Sequence, residues 1–107
     1  MNHTLLKVGV VTLLGIGNAQ AAGDIQAGKV KAGMCAACHG ANGEGVAPNP
    51  ALAGMKEDQF IQAMKDYKSG KRANPVMKAF VDPLKKKEIE DLAAWFSIQK
   101  SSLHFQR

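Results

Sequence analysis

Along the chain, segments whose apolar positions recur every three or four residues alternate with segments dominated by Gly, Pro and Asn. Phe60, Ala63, Met64 and Tyr67 fall at i, i+3, i+4 and i+7 within 57–69, the spacing of one helical face. An acidic first turn, Lys68 in the last turn and Gly70 just beyond suit the helix dipole and the usual glycine stop. Ile89, Leu92, Ala93 and Phe96 repeat the stripe in a last helix, flanked by Trp95, which is expected to start at an Asp82-Pro83 cap and continue to about Lys100. A shorter first helix is predicted over 25–32, capped by Asp24, with Ile25, Gly28 and Ala32 on one face. Gly28 within it costs about 1 kcal/mol against alanine, which points to close approach by another helix. Residues 40–54 and 70–77 read as loops, the second leading into a short apolar turn that ends at Val81. No stretch has the two-residue alternation of a strand, so the fold class is all-α.

The first twenty-one residues follow a different rule. Lys7 precedes the apolar run 8–16, and Ala19-Gln20-Ala21 supplies a small-x-small pattern. That order is the mark of a secretory signal peptide. The run is well short of the roughly 20 residues that span a bilayer, which argues against a permanent membrane anchor. Residues 1–21 are therefore expected to be removed, leaving 22–107 as a single domain in the periplasm.

Composition adds a constraint more than an identity. With 14 Lys and Arg against 9 Asp and Glu, the 107-residue chain is basic, at +5; loss of Lys7 brings it to +4. A domain this small buries limited apolar surface and commonly needs a disulfide, a metal or a cofactor. It has only two cysteines, both in one short motif.

That motif is Cys35-Ala-Ala-Cys38-His39. Two thiols one helical turn apart match the two vinyl groups on one edge of haem, and the next histidine falls beneath the iron. Three plainer readings compete. A thioredoxin-like redox pair needs a βαβ setting, which is missing here. A zinc site needs further ligands, and the other histidines are His3, in the leader, and His104, near the C-terminus. A structural disulfide or a chance match completes the set. Covalent haem c, one per chain, is the reading the string favours, with His39 as a ligand of the iron.

What occupies the opposite side of the iron separates an electron carrier from a ligand-binding or catalytic haem. A thioether is a soft ligand that favours ferrous iron. Met34 abuts Cys35, Met55 opens the second helix, and Met64 belongs to an apolar stripe, where core filler is its plainer role. Met77 follows Pro75, 38 residues beyond His39, far enough for the chain to wrap round the group. It is the favoured candidate among the four.

Taken in order, the pieces Gly23-Asp24…Ala27-Gly28-Lys29, 35–40, Pro50-Ala-Leu-Ala-Gly54, 67–72, Asn74-Pro-Val-Met77 and 88–96 resemble the small class I c-type cytochromes of bacterial periplasms, the cytochrome c-553-like single-haem carriers. The resemblance covers about residues 22–100. It implies the class I cytochrome c fold, with helices packed round one haem, and thioether attachment at Cys35 and Cys38. It makes His39 and Met77 the axial ligands, and Pro50 the residue whose carbonyl accepts the His39 Nδ1–H. Gly28 matches the crossing of the first and last helices, and Trp95 an aromatic position packing on the haem side. Met55 departs from the family's glutamine, and Lys85 stands where relatives carry a Ser or Thr cap.

The implied activity is one-electron transfer by a monomeric carrier that is not an enzyme, between redox protein partners and with no nucleic acid involved. Lys65, Lys68, Lys71, Arg72 and Lys78 are candidates for a basic rim meeting acidic docking surfaces. The alternatives are a haem enzyme or gas sensor with a displaceable Met77, and a haem module docked on a larger oxidoreductase.

Overall fold

The structure is a computed structural model that describes residues 23–100. The expected signal segment and the 101–107 tail lie outside the described residues. Five helices follow in order: α1 Ile25–Lys31, α2 Gly33–His39, α3 Glu57–Ser69, α4 Pro75–Val81 and α5 Lys86–Ser97. Among the described residues there is no strand, only an isolated bridge between Val46 and Asn49. None of the helices described is long and apolar enough to cross a membrane.

Asp24 caps α1 as expected, its Oδ1 accepting from the backbone N–H groups of Gln26 at 2.9 Å and Ala27 at 3.1 Å. The first helix ends one residue early and restarts as α2. At the join the Cys35 N–H reaches back only three residues, to the Ala32 carbonyl (2.9 Å), tightening the chain where Gly33 weakens helical propensity.

α1 crosses α5 at Gly28. A Cβ there would run into the Asp91 carbonyl and stand 2.9 Å from Trp95 Cβ. The local helical penalty of glycine is thus offset by close contact between the two backbones. The carboxylate of Asp91 locks the same crossing: it accepts from the Asp24 backbone N–H at 2.7 Å and from the Lys87 ammonium. Asp91 is buried, and burial alone pushes its carboxyl up, but the Lys87 and Asp24 donors outweigh that and hold it below the ordinary aspartate range.

The stripes read from the sequence form the core. Phe60, Met64 and Tyr67 are buried on α3, and Ile89, Leu92, Ala93 and Phe96 on α5. The Phe60 and Phe96 rings meet at 5.7 Å between centroids, joining the two helices. Gly70 stops α3 in a left-handed conformation (φ 83°, ψ 0°), as its position predicted.

Three further boundaries differ from expectation. The end of the 70–77 loop is helical: Asn74 is extended and its Oδ1 accepts the Met77 N–H at 3.0 Å, while Pro75 takes the first helical turn, where its missing N–H costs nothing. An Asn-Pro pair ahead of an apolar run was the local signal for it. The Asp82-Pro83 pair, in contrast, does not begin the last helix. Asp82 is itself helical and closes α4 by donating its N–H to the Lys78 carbonyl at 2.9 Å. α5 begins after an extended Lys85, whose N–H is accepted by Glu88 Oε1 at 2.9 Å, and it ends at Ser97 rather than near Lys100.

Candidate functional site

The spacing of Cys35, Cys38 and His39 is i, i+3 and i+4, so α2 presents all three on one face. Its C-terminal end is gripped by the loop that follows. Gly45 N–H donates to the His39 carbonyl at 2.6 Å, and Asn49 Nδ2 donates to the Cys38 carbonyl at 2.9 Å. His39 Nδ1 donates to the Pro50 carbonyl at 2.7 Å. That bond fixes the ring and leaves Nε2 as the nitrogen available to a metal. His39 is 6% exposed, one of the few buried polar side chains. Asn49 drew no attention in the sequence; sitting between two prolines in a loop, it reads as turn chemistry alone.

The face of α2 forms one wall of a cavity enclosing about 970 Å³ of atom-free space, part of it open to solvent. Phe60, Met64 and Tyr67 of α3 form another wall, and Val76, Met77 and Phe80 of α4 a third. Burial pushes the Cys35 thiol above its ordinary value, and the neighbouring Cys38 adds to the shift. Of the four methionines weighed above, Met34, Met64 and Met77 line this cavity, whereas Met55 lies on a separate surface depression with Asp58 and Asp66.

Trp95 is not among the lining residues. It stands at the α1–α5 crossing, with the Lys29 ammonium 5.7 Å from its ring centroid. From that crossing it packs, partly buried, against the core. Three of the five rim cations are also engaged within the chain. Lys68 Nζ donates to the Leu84 carbonyl at 2.5 Å, Lys78 Nζ to the Lys68 carbonyl at 2.7 Å, and Arg72 to the Tyr67 hydroxyl at 3.4 Å.

The donor set fits haem. Two thiols, an imidazole with one nitrogen committed and an apolar enclosure carrying a thioether converge on one space, which is what a covalently held macrocycle with axial N and S ligands requires. Among the described residues, no three His, Cys, Asp or Glu side chains gather as a bare metal ion would need.

Comparison with known proteins gives the same answer. The family model for cytochrome c matches residues 25–98. Cytochrome c4 of Pseudomonas aeruginosa is 44% identical over 104 residues, which is 96% of this chain and 51% of that protein. Cytochrome c-554(548) of Halomonas halodenitrificans is 37% identical over 83 residues, 74% of this chain and all of that one. The crystal structure of reduced recombinant cytochrome c4 from Pseudomonas stutzeri superposes with a TM-score of 0.70 at 40% identity, covering 76% of this chain and 48% of that chain. This chain spans about half the length of the cytochrome c4 relatives. Its helices thus have the class I cytochrome c arrangement, its Cys35-Ala-Ala-Cys38-His39 string implies covalently bound haem c, and the chain belongs to the cytochrome c family.

Proposed function

We propose that this protein is a one-electron carrier with a single haem c, exported to the periplasm after removal of residues 1–21, and working between redox protein partners as a monomer that catalyses no reaction of its own. When bound, haem supplies an iron that alternates between ferrous and ferric. Cys35 and Cys38 would hold it through thioethers, and His39 Nε2 and Met77 Sδ would be its axial ligands. The observation that carries this reading is the convergence of those four side chains on one largely apolar cavity.

The remaining residues act on binding and orientation. The Pro50 carbonyl keeps the His39 ring in one tautomer and one rotation. The Asn74 cap and Pro75 set the start of the helix that brings Met77 to the cavity. Phe60, Met64 and Leu92 exclude water from the far wall, where a low-dielectric surround limits reorganisation as charge changes. Lys65 and Lys71 are the rim cations best placed to steer acidic partners, since Lys68, Lys78 and Arg72 have partners in the chain.

The ferric spectrum of the protein purified from periplasm tests this. A low-spin spectrum with a sulfur-to-iron charge-transfer band, lost in Met77→Ala, is expected. High-spin iron that takes up carbon monoxide or peroxide readily would favour a haem enzyme or sensor. The mass of the exported chain, with one haem on residues 22–107, tests the processing site and the haem count together.

A further inference from the structure

α4 is seven residues long, too short for its own backbone hydrogen bonds to keep it folded. Its apolar anchorage is narrow. Val81 alone among its residues is buried in the protein core, while Val76, Met77 and Phe80 face the cavity. Yet this is the helix that carries Met77.

Two ammonium groups tie it in place. Lys78, on α4, donates through Nζ to the carbonyl of Lys68 at 2.7 Å. That carbonyl belongs to the last turn of α3, where backbone oxygens lack an intrahelical partner. Lys68, on α3, donates in the opposite direction to the carbonyl of Leu84 at 2.5 Å, three residues beyond the end of α4. Asp82 adds a carboxylate 3.2 Å from Lys78 Nζ. Each helix thus contributes one lysine, and the two bonds bracket α4 at its middle and just past its C-terminal end. A lysine kept for a partner protein would leave its ammonium in water. These two place theirs on backbone oxygens, Lys68 in a part-buried bond and Lys78 in an exposed one, each a charge-assisted hydrogen bond.

We propose that Lys68 and Lys78 are positioning residues that clamp α4 against α3, and that this clamp sets how readily Met77 leaves the sixth position. The proposal rests on the reading of Met77 as the distal ligand. The clamp adds to the apolar contacts of α4 in keeping the site closed to external ligands, and so helps keep the protein a carrier.

The test uses the haem-loaded ferric protein and its variants Lys68→Leu and Lys78→Leu, which keep an aliphatic stem and remove the ammonium. Lys68→Arg and Lys78→Arg serve as conservative rescues. Imidazole is titrated against the visible spectrum, and amide hydrogen exchange is followed over residues 77–81, with α1 and α5 as internal references. Either leucine variant is expected to bind imidazole about tenfold more tightly and to exchange the α4 amides about tenfold faster, the loss of one charge-assisted hydrogen bond. Exchange in α1 and α5 stays as in the wild type, and the arginine variants return most of the effect. Unchanged imidazole affinity and unchanged α4 exchange in both leucine variants overturn the proposal. Uniformly faster exchange in all helices also overturns it, since that marks general destabilisation. So does an effect confined to electron exchange with an acidic partner at low salt, since that marks a docking rim. A wild-type protein without the sulfur-to-iron band would sink the Met77 reading instead, while α4 exchange would still report on the clamp itself.

Discussion

His39 and Pro50 lie eleven residues apart in the chain and 2.7 Å apart in space, from the imidazole Nδ1 to the proline carbonyl. The bond commits one ring nitrogen and orients the other, so the electron density that His39 offers an iron depends on how firmly the 46–50 loop is held. Pro50→Ala keeps the carbonyl but frees its backbone. A partly lost bond makes the imidazole a poorer donor and favours ferrous iron. The midpoint potential is expected to rise by about 20–40 mV, the equivalent of half to one kcal/mol for one electron. Spectroelectrochemical titration checks it, and a fall in potential would contradict the role assigned to Pro50.

Asn74 supplies the only side-chain cap seen on α4 among the described residues. Asn74→Ala is expected to cost about 1 kcal/mol, concentrated in that helix. The charge-transfer band should then fade at a lower temperature than in the wild type, while far-ultraviolet helicity is still intact. Simultaneous loss of both signals at the wild-type temperature would argue against a local cap effect.

Gly28→Ala sets two effects against each other. Alanine gains about 1 kcal/mol of helix propensity, but its Cβ meets the Asp91 carbonyl and Trp95 Cβ, and one of these is backbone that cannot rotate away. Overpacking of this kind typically costs about 1–3 kcal/mol, so a net loss of up to about 2 kcal/mol is expected by denaturant titration. A gain in stability would mean that the two helices are free to separate.

The Asp91 carboxyl is held below its ordinary range by Lys87 and the Asp24 N–H. A depressed folded value stabilises above the unfolded value of about 3.9 and is lost as pH falls through the folded one. Lys87 is largely exposed, so solvent screening keeps the contribution small. Asp91→Asn, which can still accept from Asp24, is expected to lower stability modestly at pH 7. Variant and wild type should converge as pH falls through the depressed folded value of Asp91, and denaturation curves across the acid range test it. An equal gap throughout that range would rule out the charged pair as the cause.

Much of the site was legible because its chemistry is local. Cys35, Cys38 and His39 are near neighbours in sequence, and the helical period alone sets them on one face. The stripes at 60–67 and 89–96 were legible for the same reason. Local signals failed where two patterns competed. Asp82-Pro83 looks like a helix start, yet the preceding turn keeps hydrogen-bonding through Asp82, and the cap role passes to Lys85, which no propensity scale favours. Asn74-Pro75 carried the same kind of signal and was masked by the loop residues before it.

The sequence by itself therefore determined the all-α class, the attachment string and the core faces, since each depends on spacing within one element. Met77 was favoured among the thioethers by its place in a loop 38 residues beyond His39, and the family resemblance strengthened that choice. Tertiary structure alone decided that Met55 faces another surface, that Trp95 stands at the helix crossing and not in the cavity wall, and that Asn49 holds the end of α2. It also decided that Lys68 and Lys78 bond to carbonyls across α3 and α4. A lysine's reach exceeds any local period, so its partner is fixed only when separate helices have packed.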